Sequence, residues 1–129
     1  MIIRPACMAA MLEMGQALGK VDHLLDSYAA TQSRKDWDLA AYWAGTLRAR
    51  FDDLQMFCPP SPGADLLDSP EDRLDNIIGI LHANLHWKED FQGAVTIFKQ
   101  VEENLVEWID DMVFGQPERV VRSLDAVTQ

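Results

Sequence analysis

His82 and His86 stand four residues apart, with Asp90 four further on. On a helix that spacing puts two imidazoles on one face, as a zinc site needs. Zinc takes three or four ligands, however, and the third histidine, His23, belongs to a distant segment outside its apolar seam. If Asp90 opens the next helix, the alignment with the histidines also fails. We read the histidines as polar residues at a helix flank and expect no metal and no cofactor. Nucleophilic chemistry has as little to build on. Cys7 lies in an apolar seam, Cys58 precedes two prolines, and no Ser or Cys adjoins a histidine in sequence. The glycines are scattered, so no phosphate-binding loop is present, and no catalytic residue is nominated.

Paired carboxylates come closer to a site. Asp68/Glu71, Asp72/Asp75 and Glu107/Asp110 are each three residues apart, the arrangement by which helical bundles hold Mg²⁺ against a nucleotide phosphate. Glu107-x-x-Asp110 resembles the acidic motif of all-α nucleotide pyrophosphohydrolases of the MazG type, although the upstream ExxE of that family is absent. The resemblance implies, as an alternative function, a metal-dependent helical-bundle hydrolase. Asp68 and Asp72 have a structural explanation too, at the start of a helix.

The most unusual stretch is VEENLVEWIDDM, residues 101–112. It carries Glu102, Glu103, Glu107, Asp110 and Asp111 with no basic residue. Acids at the C-terminal end of a helix oppose its dipole, at about 0.3 to 1 kcal/mol each, and Glu103 and Glu107 repel at i,i+4. One explanation is internal: Arg119 and Arg122 follow closely and could fold back onto the acids. The other is a docking surface for a basic partner, edged by Trp108 or Phe114 as an apolar anchor.

The net charge is −10, and it is local. Residues 65–75 hold Asp65, Asp68, Glu71, Asp72 and Asp75 against Arg73, residues 102–111 hold five acids against nothing, and the rest is nearly neutral. Such a surface repels phosphate backbones and anionic membranes, so direct nucleic-acid or membrane binding is disfavoured. No run approaches the roughly 18 apolar residues of a membrane span. Glu13 and Lys20 bound the apolar N-terminal run, which reads as structure and not as a leader. Two distant cysteines without a CxxC pair suit a reducing cytoplasm, and a bridge between them stays open.

The elements that must position these residues are helices; no period-two run is long enough for a strand. Helix 1 starts at Pro5, whose fixed φ suits a first helical position. Its seam is Cys7, Met11, Met14, Leu18, Val21, Leu25 and Tyr28, with small residues Ala10, Gly15, Ala17 and Gly19 and Leu24 on a second side, so burial on two sides is expected. Ser33 and Asp36 form a capping box for helix 2, whose inward stripe is Ala40, Trp43, Leu47, Phe51, Leu54 and Phe57, ended by the CPPSPG loop. Ser69 and Pro70 open helix 3, with Leu74, Ile77, Ile78, Leu81 and Leu85 inward. A phase change of the apolar pattern places a break near Trp87–Asp90. Helix 4 then buries Phe91, Ala94, Val95, Phe98, Leu105, Trp108, Ile109 and Met112 and runs to Gly115. Pro117 and Glu118 start a short fifth helix with Val120, Val121 and Leu124. Trp43 and Trp108 fall on buried stripes, whereas Trp37 and Trp87, at helix ends, are candidates for exposed contact.

The sequence therefore reads as one all-α domain, residues 1–129, an antiparallel four-helix bundle with a short C-terminal fifth helix. The leading functional expectation is a cytoplasmic interaction protein that binds, and inhibits or regulates, a basic partner such as a nucleic-acid-handling protein. Its docking residues are Glu102, Glu103, Glu107, Asp110, Asp111, Trp108 and Phe114. A third expectation is a homo-oligomeric scaffold, a homodimer built through the Cys7–Tyr28 seam.

Overall fold

The chain is all-helical in a computed structural model that describes residues 4–60 and 69–112. Four α-helices follow in order: α1 Pro5–Thr31, α2 Arg34–Phe57, α3 Pro70–Ala83 and α4 Phe91–Asp110. No strand occurs among the described residues. The expected fifth helix, Gly115, Phe114, Arg119 and Arg122 lie outside them, as does Asp68.

Pro5 occupies the first position of α1, as its fixed φ predicts. Ser69 caps α3, its hydroxyl accepting from the Asp72 N–H at 3.2 Å, and Pro70 follows at the first helical position. The capping box expected for α2 does not form. Ser33 stands at the N-cap without a side-chain cap; its own N–H donates to the Thr31 hydroxyl at 3.2 Å, and the Asp36 carboxylate accepts from the Ser27 and Thr31 hydroxyls of α1, each at 2.8 Å. The acid thus ties α2 to the helix before it. The cysteines also differ from two free thiols: Cys7 and Cys58 form a disulfide joining the start of α1 to the residue after α2.

Contacts along the helices show which ends meet. Arg50 pairs with Glu13 at 3.1 Å, and the Tyr28 ring lies 4.9 Å from that of Trp37, so the end of α1 adjoins the start of α2. Leu85, after α3, accepts from the indole of Trp37 near the start of α2. Glu71 at the start of α3 meets Trp108 near the end of α4. The core between them includes Met14, Leu47, Phe51, Leu54, Leu74, Ile78, Leu81 and Leu85, all almost wholly buried.

α1 is buried along one broad face, not on two sides. Cys7, Ala10, Met14, Ala17, Val21 and Leu24 are buried, while Gly15 and Gly19 are exposed. The Cys7–Tyr28 seam is used within the chain, so it is not free to form the expected homodimer. On α2, Trp43 is half-buried beneath Lys20, whose Nζ is 5.9 Å from the ring centre, and Phe57 is exposed. On α4, Val101 joins the buried stripe.

The break after α3 falls where the phase change of the apolar residues puts it. Asn84–Lys88 widen into a π-helical turn, Glu89 takes the left-handed conformation at φ 53°, and Asp90 stands at the N-cap position of α4 without a side-chain cap. Asn84 is buried at this corner, and its side-chain oxygen accepts from the Asp90 N–H at 3.2 Å. Gly93 is required beneath it: a Cβ there would come within 2.5 Å of Asp90 Oδ2 and 2.8 Å of Asn84 Nδ2. The left-handed backbone of Glu89 is unfavourable for a residue with a Cβ, and an ion pair with Arg34 at 2.8 Å helps to hold it.

The corner also explains the burial of Trp37, expected at an exposed helix end but only 3% exposed. Its indole N–H donates to the Leu85 carbonyl at 2.8 Å, within the widened turn. A carbonyl at the end of a helix needs such a partner. Trp87 is indeed out in solvent, 78% exposed, with its ring edge-on to His86.

Candidate acidic interaction face

The buried residues of α4 are Ala94, Phe98, Val101, Leu105 and Trp108. Recurring every three or four residues, they commit one face of the helix to the core. The opposite face is left to Lys99, Glu102, Glu103, Val106, Glu107, Asp110 and Asp111, which together line an open depression of about 610 Å³. All five acids of the predicted docking surface therefore share one surface. Val106, which sequence reasoning passed over, is 56% exposed within it. Lys99 is its basic member, and Arg73 of α3 lines the adjoining hollow with Glu107, Trp108 and Asp111.

Trp108 is not the exposed anchor that the docking expectation assigned. It is 3% exposed, stacks edge-on against Phe51 with ring centres 6.0 Å apart, and donates its indole N–H to Glu71 Oε1 at 2.8 Å. Its place on the apolar stripe decided this, so the buried-stripe expectation for the same residue holds. The other proposed anchor, Phe114, lies outside the described residues, as do Arg119 and Arg122.

Glu102 shows the charge density of the face. Its carboxyl is pushed above the usual range first by partial burial, then by Asp22 and Asp26 of α1 and by Glu103, with Lys99 opposing. The acidic surface thus extends from α4 onto α1. Asp22 and Asp26 are four residues apart on α1, a visible spacing, but only the packing of α1 beside α4 brings them to Glu102.

No family model, curated protein or solved structure matches the chain. The chemistry of the surface is therefore the basis for reading its role.

The other carboxylate pairs do not converge on this face as a set. Glu71 is engaged by Trp108, and Asp72 and Asp75 stand on α3. Among the described residues, no group of three or more His, Cys, Asp or Glu side chains is disposed to hold a metal ion.

His82 and His86 are neighbours, with ring centres 5.7 Å apart. They line a second open groove, between α2 and α3, with Arg34, Asp38, Tyr42 and Thr46. His82 is held toward its neutral form by burial, then by the nearby charges of His86 and Arg48. Gly45 gives it room, since a Cβ there would lie 3.2 Å from His82 Nε2. Asp90, beyond the corner, stands at the N-cap position of α4.

Proposed function

We propose that this chain is a small acidic interaction protein whose α4 face docks onto a basic protein and inhibits or regulates it. The reading takes the helices as an antiparallel bundle closed by a C-terminal fifth helix. The observation that carries it is the gathering of Glu102, Glu103, Glu107, Asp110 and Asp111 around the exposed Val106 on a single helix face. Clustered carboxylates accelerate encounter with a basic surface and select against acidic partners, and an apolar side chain among them offers area that desolvates on contact. A partner that handles nucleic acid fits this chemistry, because the carboxylates would occupy its basic groove in place of phosphates.

The compartment follows from the cysteines. The cytoplasmic expectation rested on free thiols, whereas a Cys7–Cys58 bridge suits an oxidising environment. No helix among the described residues is long and apolar enough to cross a membrane.

The test is affinity capture of the tagged, oxidised protein from host extract at low and high salt. A basic protein retained at low salt and shed at high salt is the expected result, since screening weakens exposed charge pairs. Capture of nothing at either salt, or of partners indifferent to salt, overturns the reading.

A further inference from the structure

The solvent face of α1 carries a second surface, which borders the acidic face at Asp22 and Asp26. Met8 and Leu12 are 48% and 68% exposed, and with Gly15 and Gly19 they recur at helical spacing along one line opposite the buried residues. Three other helical glycines face something inside the molecule: Gly45 meets His82, Gly79 meets Arg48, and Gly93 meets Asp90 and Asn84. A Cβ on Gly15 or Gly19 would meet nothing within 4 Å. Neither is needed by the packing of its own chain, yet each costs the helix about 1 kcal/mol relative to alanine.

Charge flanks this line unevenly. Arg4 precedes it, and Asp22 and Asp26 follow it on the same side of α1. No ion pair among the described residues involves any of the three. A surface with a base at one end and acids at the other is complementary to itself when turned end for end.

We infer that two copies of this chain associate through the outer faces of their α1 helices, antiparallel about a twofold axis passing between Leu12 and Gly15. In that arrangement Met8 of each copy lies over Gly19 of the other and Leu12 over Gly15, so each large side chain meets a residue that has none. Arg4 comes within a turn of Asp22 and Asp26 of the second copy, and the twofold repeats the contact. The interface is isologous and closes at two copies. Two crossing helices bury less than a standard interface, so the dimer belongs to the weak, transient class. This face is opposite the Cys7–Tyr28 seam, which the chain's own core consumes.

Sedimentation equilibrium of the full oxidised chain, from micromolar to millimolar concentration, tests the inference. The expected result is a monomer–dimer equilibrium with no larger species. Gly15→Leu with Gly19→Leu should abolish the dimer without lowering the thermal stability of the dilute protein, since leucine is the better helix former and the space around both glycines is open. Arg4→Asp should weaken dimerisation by about fivefold through two exposed ion pairs. Adding Asp22→Arg and Asp26→Arg to it should restore association. A monomer at every concentration, a dimer untouched by the leucines, or a charge swap that fails to restore association each overturns the inference.

Discussion

The indole N–H of Trp108 donates to Glu71 Oε1 at 2.8 Å, joining the last turns of α4 to the first turn of α3. One of the chain's many acids is thereby a structural group in a half-buried position, and one of its four tryptophans is withdrawn from the surface. The pair separates two roles for carboxylates that look alike in sequence: Glu71 holds helices together, while Glu103, Glu107 and Asp110 face solvent.

Trp108→Phe should lower stability by about 1.5 to 3 kcal/mol, the range for a hydrogen bond to a charged group. Glu71→Gln keeps an acceptor and should cost less than Glu71→Ala. Urea unfolding followed by circular dichroism, arranged as a double-mutant cycle, measures the coupling. Additive single effects would show that the bond contributes nothing of its own.

Reduction of the Cys7–Cys58 bridge should destabilise the fold. The cysteines are separated by 51 residues, and cross-linking a loop of that length removes denatured-state entropy worth about 4 kcal/mol. Thermal melts with and without reductant, compared with Cys7→Ser plus Cys58→Ser, test this. Identical midpoints in all three samples would mean that the thiols are not joined in solution.

Asp36 makes stability depend on pH in a defined direction. The Ser27 and Thr31 hydroxyls hold its carboxyl below the ordinary aspartate range, with Lys35 and His23 adding to the effect and burial opposing it. A carboxyl with a depressed folded pKa contributes stability that is complete above its unfolded value and is lost as pH falls through the folded one. Asp36→Asn should therefore be less stable than the parent at neutral pH, and the two should converge in acid below that range. A gap that persists unchanged in strong acid would assign the effect to packing and not to charge.

Reversing Glu103, Glu107 and Asp110 to Lys should leave the helical content and unfolding midpoint nearly unchanged, because all three are exposed. The reversal leaves a like-charge pair at positions 103 and 107, while the cations at the end of α4 favour the helix dipole that the acids oppose. Partner capture at low salt should disappear. Unfolding of the triple variant would mean that these acids are structural, and the docking proposal would fail with them.

Much of the secondary structure was legible along the chain because its signals are local. Pro5 and Pro70 fix a helical φ, Ser69 supplies an acceptor to an N–H three residues on, and the apolar phase changes where α3 gives way to α4. The acids of residues 102–111 could be placed on one face for the same reason: helical spacing converts position in sequence directly into direction. The same spacing put Trp108 on the apolar stripe as well as at the edge of the acids, and the structure resolves the two readings in favour of the stripe.

Partners distant in sequence were decided only by the tertiary structure. Asp36 has the spacing of a capping box, but Ser27 and Thr31 on the preceding helix provide hydroxyls that take its carboxylate instead. Trp37 stands at the start of a helix, where a tryptophan can be exposed, and is buried because a carbonyl at the α3–α4 corner needs its N–H. The meeting of Cys7 with Cys58, and of Glu102 with Asp22 and Asp26, depends on how helices lie side by side. Periodicity fixes the direction of a side chain about its own helix axis but says nothing of which helix lies opposite or at what height; packing of the whole chain sets both.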